Sequence, residues 1–124
     1  MLLRTMLVTA LLVASPLAYA GEPIVLAGAG TLAKCGDWSA NRARTDTLST
    51  FKTNSVIAWL QAYLSGINAE RYYQKGRPQF GLPNADVLRG MLDQYCQKDP
   101  LLEVWLASDS IAAELTKRSA IPEK

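Results

Sequence analysis

The chain has 124 residues, with 13 basic and 11 acidic side chains, two cysteines and no histidine. A formal charge of +2 is too balanced for a nucleic-acid or membrane-surface binder. Two thiols without an imidazole are a poor zinc set, which usually needs four ligands, and the length suits one small domain.

The first elements are not part of that domain. Arg4 makes a short basic start, Met6 to Val13 is apolar apart from Thr9, and Ala18-Tyr19-Ala20 reads as a cleavage site. Residues 1–20 are therefore expected to be a secretory signal peptide, the mature chain beginning at Gly21 and residing in the periplasm. A membrane anchor is the alternative, but the apolar stretch is shorter than the roughly 20 residues a span needs. No membrane association is expected after cleavage. In an oxidising compartment the even pair Cys35 and Cys96 reads as a disulfide, with free thiols or a metal site as the other readings. Such a bridge would close a loop of about 60 residues and contribute about 4 kcal/mol through loop entropy.

Residues 21–32 are small and glycine-rich and are expected to be a flexible lead-in. A first helix is predicted from Leu32 to about Arg44, with Leu32, Cys35, Trp38 and Arg42 or Ala43 near one face. The second carries Val56, Trp59, Leu60, Tyr63, Leu64 and Ile67 at helical spacing. Ser49, Thr50 or Thr53 could cap it, and Gly66 reads as a close helix contact or a stop. Asn68 to Pro83 breaks the pattern with Gly76, Pro78, Gly81 and Pro83. It holds Arg71, Tyr72, Tyr73, Lys75, Arg77 and Phe80, a candidate partner-binding loop, because Tyr and Arg are enriched at binding hot spots. A solvated connector whose tyrosines pack on the core is the alternative.

A third helix is predicted to start at Asn84, with Val87, Leu88, Met91, Leu92, Tyr95 and Cys96 as its stripe and Lys98 facing its carbonyl end. Asp99 then reads as an N-cap and Pro100 as the first helical residue of a fourth helix carrying Leu101, Trp105, Ser108, Ala112 and Leu115. Residues 119–124 are expected to be a flexible tail. The expected fold is all-α, a small bundle of about four helices over residues 33–118 with one disulfide. Trp38, Trp59, Tyr63 and Trp105 are its expected core aromatics.

Nothing spells out a reaction. Without histidine, acid–base work would fall on carboxylates. Asp37 and Asp93 lie near the cysteines along their helices but read as helix-surface charges. Ser65-Gly66 lies inside a helical stripe, and Gly28-Ala29-Gly30 has neither a strand before it nor a Lys-Ser after it. No catalytic residue, metal or cofactor is expected.

Three motifs, in order, resemble the HdeA family of periplasmic acid-stress chaperones. They are Cys35-Gly36-Asp37-Trp38, Tyr63-Leu64-Ser65-Gly66-Ile67-Asn68, and Cys96-Gln97-Lys98-Asp99-Pro100 with Trp105. The resemblance implies a helical domain with Cys35 joined to Cys96, no cofactor, and a neutral-pH homodimer. In acid that dimer would loosen and expose apolar surface to unfolding clients. If all 11 carboxylates protonate, a mature chain without Arg4 moves from +1 to +12, and self-repulsion loosens it. The chain is also similar, more faintly, to periplasmic immunity proteins that neutralise type VI secretion amidase effectors. That likeness implies one specific protein partner.

Overall fold

Helix boundaries in this protein are set by side-chain caps at some ends and by long-range backbone pairing at others. The computed structural model describes residues 26–119. The expected leader, the start of the lead-in and the tail beyond Ser119 lie outside these residues. Among them the chain forms five helices and no strand: α1 (Ala29–Leu32), α2 (Cys35–Arg42), α3 (Thr47–Lys75), α4 (Ala85–Lys98) and α5 (Val104–Ser119). This is the expected small all-α bundle, and Cys35 is bonded to Cys96 as expected.

The α3 helix is the spine. Val56, Ile57, Leu60 and Leu64 bury one face against α4 and α5. Leu88, Met91 and Leu92 of α4 and Val104, Ala107, Ile111 and Leu115 of α5 close the core, together with Trp38 of α2 and Phe80. Burying each large side chain stabilises the fold by roughly 1.5–3 kcal/mol.

Several boundaries differ from expectation. The first helix is two. Ala33 and Lys34 are extended between α1 and α2 because their backbone pairs with the 102–104 segment. Val104 N–H donates to the Ala33 carbonyl, and Cys35 N–H to the Leu102 carbonyl. The cap of α3 is Asp46 rather than Ser49, Thr50 or Thr53. Its carboxylate accepts from the Ser49 backbone and hydroxyl at 3.0 and 2.9 Å, the preferred N-cap geometry. Gly66 neither stops α3 nor makes a close contact, since a Cβ there would meet open space. Instead α3 runs two further turns and ends at Gly76, whose φ of 72° suits glycine.

Asp99-Pro100 does not begin a helix. Asp99 ends α4, and its carboxylate accepts from the Leu101 N–H in a tight turn. The 100–103 strap lies along the start of α2. There Gly36 N–H donates to the Pro100 carbonyl at 2.8 Å, and a Cβ at Gly36 would sit 3.2 Å from that same oxygen. Disulfide and strap thus hold one junction together. Leu101, expected on the helical stripe, is exposed.

The lead-in is packed from Gly28 onward. Trp59 lies across Gly28 and Gly30, where added Cβ atoms would stand 2.5 and 2.0 Å from its ring. Only glycine allows this approach.

Candidate protein-binding surfaces

The expected core aromatics separate into two groups. Trp38 is fully buried, whereas Trp59 and Tyr63 are half-buried and stacked on each other with ring centroids 5.3 Å apart. The indole N–H of Trp59 donates to the Ala27 carbonyl at 2.7 Å, and the Tyr63 hydroxyl donates to Asp109 at 3.3 Å. Burial, then Asp109, pushes the Tyr63 phenol up from its ordinary value. Trp105 stands outside the core cluster, half-buried, with its indole N–H donating to Glu103. Helical spacing placed it inward, but α5 begins only at Val104, and Val104 takes the buried position instead.

Asp93 is not a plain surface charge. It accepts from the Trp38 indole at 2.7 Å and from Arg42 through both carboxylate oxygens, at 3.2 and 2.9 Å. The Arg42 guanidinium lies 5.6 Å from the Trp38 ring centroid. Its pKa is raised, first by the Asp93 hydrogen bond and further by the fields of Asp93 and Asp86. This trio fastens α2 to α4. Asp37 caps the start of α2 by accepting from the Lys34 N–H. At the next junction the Arg44 guanidinium, then the Ser49 amide and hydroxyl, hold the Asp46 carboxyl well below the usual carboxylate range.

Between α1, α2 and the first half of α3 lies a groove of about 520 Å³. Ala29, Ala33, Trp38 and Val56 form apolar walls, and Leu32 and Phe51 stand at its mouth, 87% and 67% exposed. Leu48, one turn before Phe51, is exposed as well. Lys52 and Asp37 supply opposite charges among the lining groups. The sequence reading missed Leu48 and Phe51. Phe51 precedes Val56 by five residues, about 140° round the helix, so it falls off the apolar stripe that identified α3. An apolar residue off the stripe is the signal that could have found it.

The proposed partner-binding loop is mostly helix. Arg71, Tyr72, Tyr73 and Lys75 occupy the last two turns of α3, and only Arg77 and Phe80 follow it. Helix pattern recognition failed there because no apolar stripe is needed beyond the core. Phe80 does not share the exposed surface, being 3% exposed and part of the core. It is held by Asn68, whose amide oxygen accepts from the Gln79 and Phe80 N–H groups while its amide nitrogen donates to the Phe80 carbonyl.

Among the described residues no group of three His, Cys, Asp or Glu side chains could hold a metal ion, and no helix is long and apolar enough to cross a membrane. No family model, curated protein or solved structure matches this chain.

Proposed function

We propose that this protein acts by binding other proteins in the manner of the HdeA-like chaperones, holding unfolding clients on apolar surface that acid makes more accessible. The observation that carries the reading is the apolar groove bounded by carboxylate-dependent fastenings. Asp93 positions Trp38, which lines the groove. Asp46 caps the helix that presents Leu48 and Phe51. Protonating Asp46 removes the charge that holds the start of α3, so acid would loosen the helix that presents Leu48 and Phe51 while the disulfide keeps the chain together. The motif pieces behind the resemblance also meet in space, Cys35 on Cys96 and Gly36 on Pro100.

The reading includes residence in the periplasm, where the disulfide would persist, and a second copy covering the groove at neutral pH. It assigns no catalytic step and no cofactor. The test is a titration of purified protein from neutral pH to about pH 2, following sedimentation, a hydrophobic dye and suppression of client aggregation. Dissociation, dye binding and suppression together support it. A fold unchanged in acid, with no suppression, overturns it.

A second reading, a specific inhibitor or immunity protein bound to one effector enzyme, is favoured by the exposed end of α3. That end offers tyrosines and cations on a rigid base.

A further inference from the structure

We propose that the exposed end of α3, residues 69–78, is a docking surface for an acidic segment of another protein. The proposal rests on the second reading only in taking the chain to bind one defined partner, and it adds that partner's chemistry.

The α3 helix spans 29 residues, and its last fully buried side chain is Leu64. At about 1.5 Å per residue, the turns from Ala69 to Lys75 carry the helix roughly 10 Å past the half-buried Asn68. Tyr73 is 86% exposed and Tyr72 58%, and the two rings meet edge to face at 6.2 Å. Among the described residues neither tyrosine belongs to the core or packs against it. Aromatic side chains bring large contact area at small entropic cost, which suits them to interfaces.

The charge identifies the partner. Arg71, Lys75 and Arg77 face a single acid in this segment, Glu70, giving it a formal +2, equal to that of the whole chain. Outside this segment the full sequence has ten basic and ten acidic side chains, one of the basic ones being Arg4 of the expected leader. Glu70 accepts a hydrogen bond from Gln74, and none of the three cations forms an ion pair with a described carboxylate. An acidic segment would supply the missing carboxylates to Arg71, Lys75 and Arg77 and an apolar side chain to the tyrosine pair.

The surface is preformed. Asn68 clamps the returning chain at Gln79 and Phe80, and the Gln79 side chain donates to Thr116 of α5. Gly76 closes the helix through its N–H to the Tyr72 carbonyl at 2.7 Å. Binding then orders side chains but little backbone.

The experiment uses the purified protein at neutral pH and a fluorescein-labelled peptide of alternating glutamate and tryptophan, read by anisotropy. Binding that weakens with salt is expected. Lys75→Glu with Arg77→Glu should weaken it at least about tenfold, and Tyr73→Ala several-fold. Lys98→Glu with Lys117→Glu makes the same change in net charge elsewhere and should leave most of the binding intact. Equal loss in both double variants would show a mere net-charge effect and overturn the proposal, as would no binding at all. Binding abolished by Phe51→Ser but not by the α3 changes would move the site to the groove, leaving the partner-binding reading standing and this proposal refuted. Equally tight, α3-dependent binding to anionic phosphatidylglycerol vesicles would assign the surface to membranes and overturn it too.

Discussion

The two ends of α3 are held by different chemistry. At its start, Asp46 accepts from Ser49, pairs with Arg44, and leads into a helix face that exposes Leu48 and Phe51 beside the groove. At its end, a carboxamide, Asn68, and a left-handed glycine, Gly76, fix the chain, and the exposed side chains are tyrosines and cations. One end depends on a carboxylate charge; the other is fastened by groups that do not titrate. A single helix thus has a charged carboxylate at its N-cap and an uncharged clamp at its other end.

The largest perturbation affects both ends. Replacing Cys35 and Cys96 together by serine should cost about 4 kcal/mol, since the bond spans 61 residues. A urea midpoint measured beside the oxidised parent checks this. A loss below about 1 kcal/mol would mean that the strap alone holds the junction between α2 and α4.

Next come the two side chains that each serve several partners. Asp93→Ala leaves the buried Trp38 indole and Arg42 without their acceptor, and about 2–3 kcal/mol of stability should go. Asn68→Ala strands the Gln79 and Phe80 N–H groups, at about 2 kcal/mol. The comparison becomes sharp in hydrogen exchange. Asp93→Ala should speed exchange in α2 and spare residues 69–75, whereas Asn68→Ala should do the reverse. Matching profiles would show that α3 opens as a unit.

The response to pH separates the ends without mutation. The folded pKa of Asp46 lies below its ordinary 3.8, so the unfolded chain takes up that proton first as pH falls. The stability it contributes is complete above about pH 4 and is lost below. Protection of the Ser49 and Thr50 amides should fall below that pH before protection at Tyr72 to Lys75 changes. Asp46→Asn, which keeps an N-cap but loses the charge on Arg44, should flatten this difference. If both ends loosen together in Asp46→Asn as in the parent, global self-repulsion rather than the cap governs the acid response.

Much of this was legible in residue order. The α4 helix was read to its cap at Asn84 because a polar cap and a periodic stripe coincide there. The disulfide was legible because only two cysteines exist. What escaped was decided by long-range backbone pairing or by the absence of packing. The break at Ala33–Lys34 exists only because the 102–104 segment lies alongside it, and Asp99-Pro100 is a turn for the same reason. The last turns of α3 bury almost nothing, so no apolar period could mark them. The groove stayed hidden because Leu32, Phe51 and Trp38 meet from three separate elements.

The smallest expected effect on stability is also the one most specific to the groove. Phe51 is 67% exposed, so Phe51→Ser removes little buried surface and should change stability by no more than about 0.5 kcal/mol. Seen from the fold alone, the residue is dispensable. If the groove receives apolar side chains, the same change should reduce dye binding and suppression of client aggregation in acid several-fold. It should leave the acid unfolding midpoint in place. Tyr73→Ser, equally neutral for stability, should leave both acid readouts unchanged, because that ring belongs to the other end of the helix. Equal losses from the two changes would erase the distinction between the ends of α3 and reduce both surfaces to general stickiness.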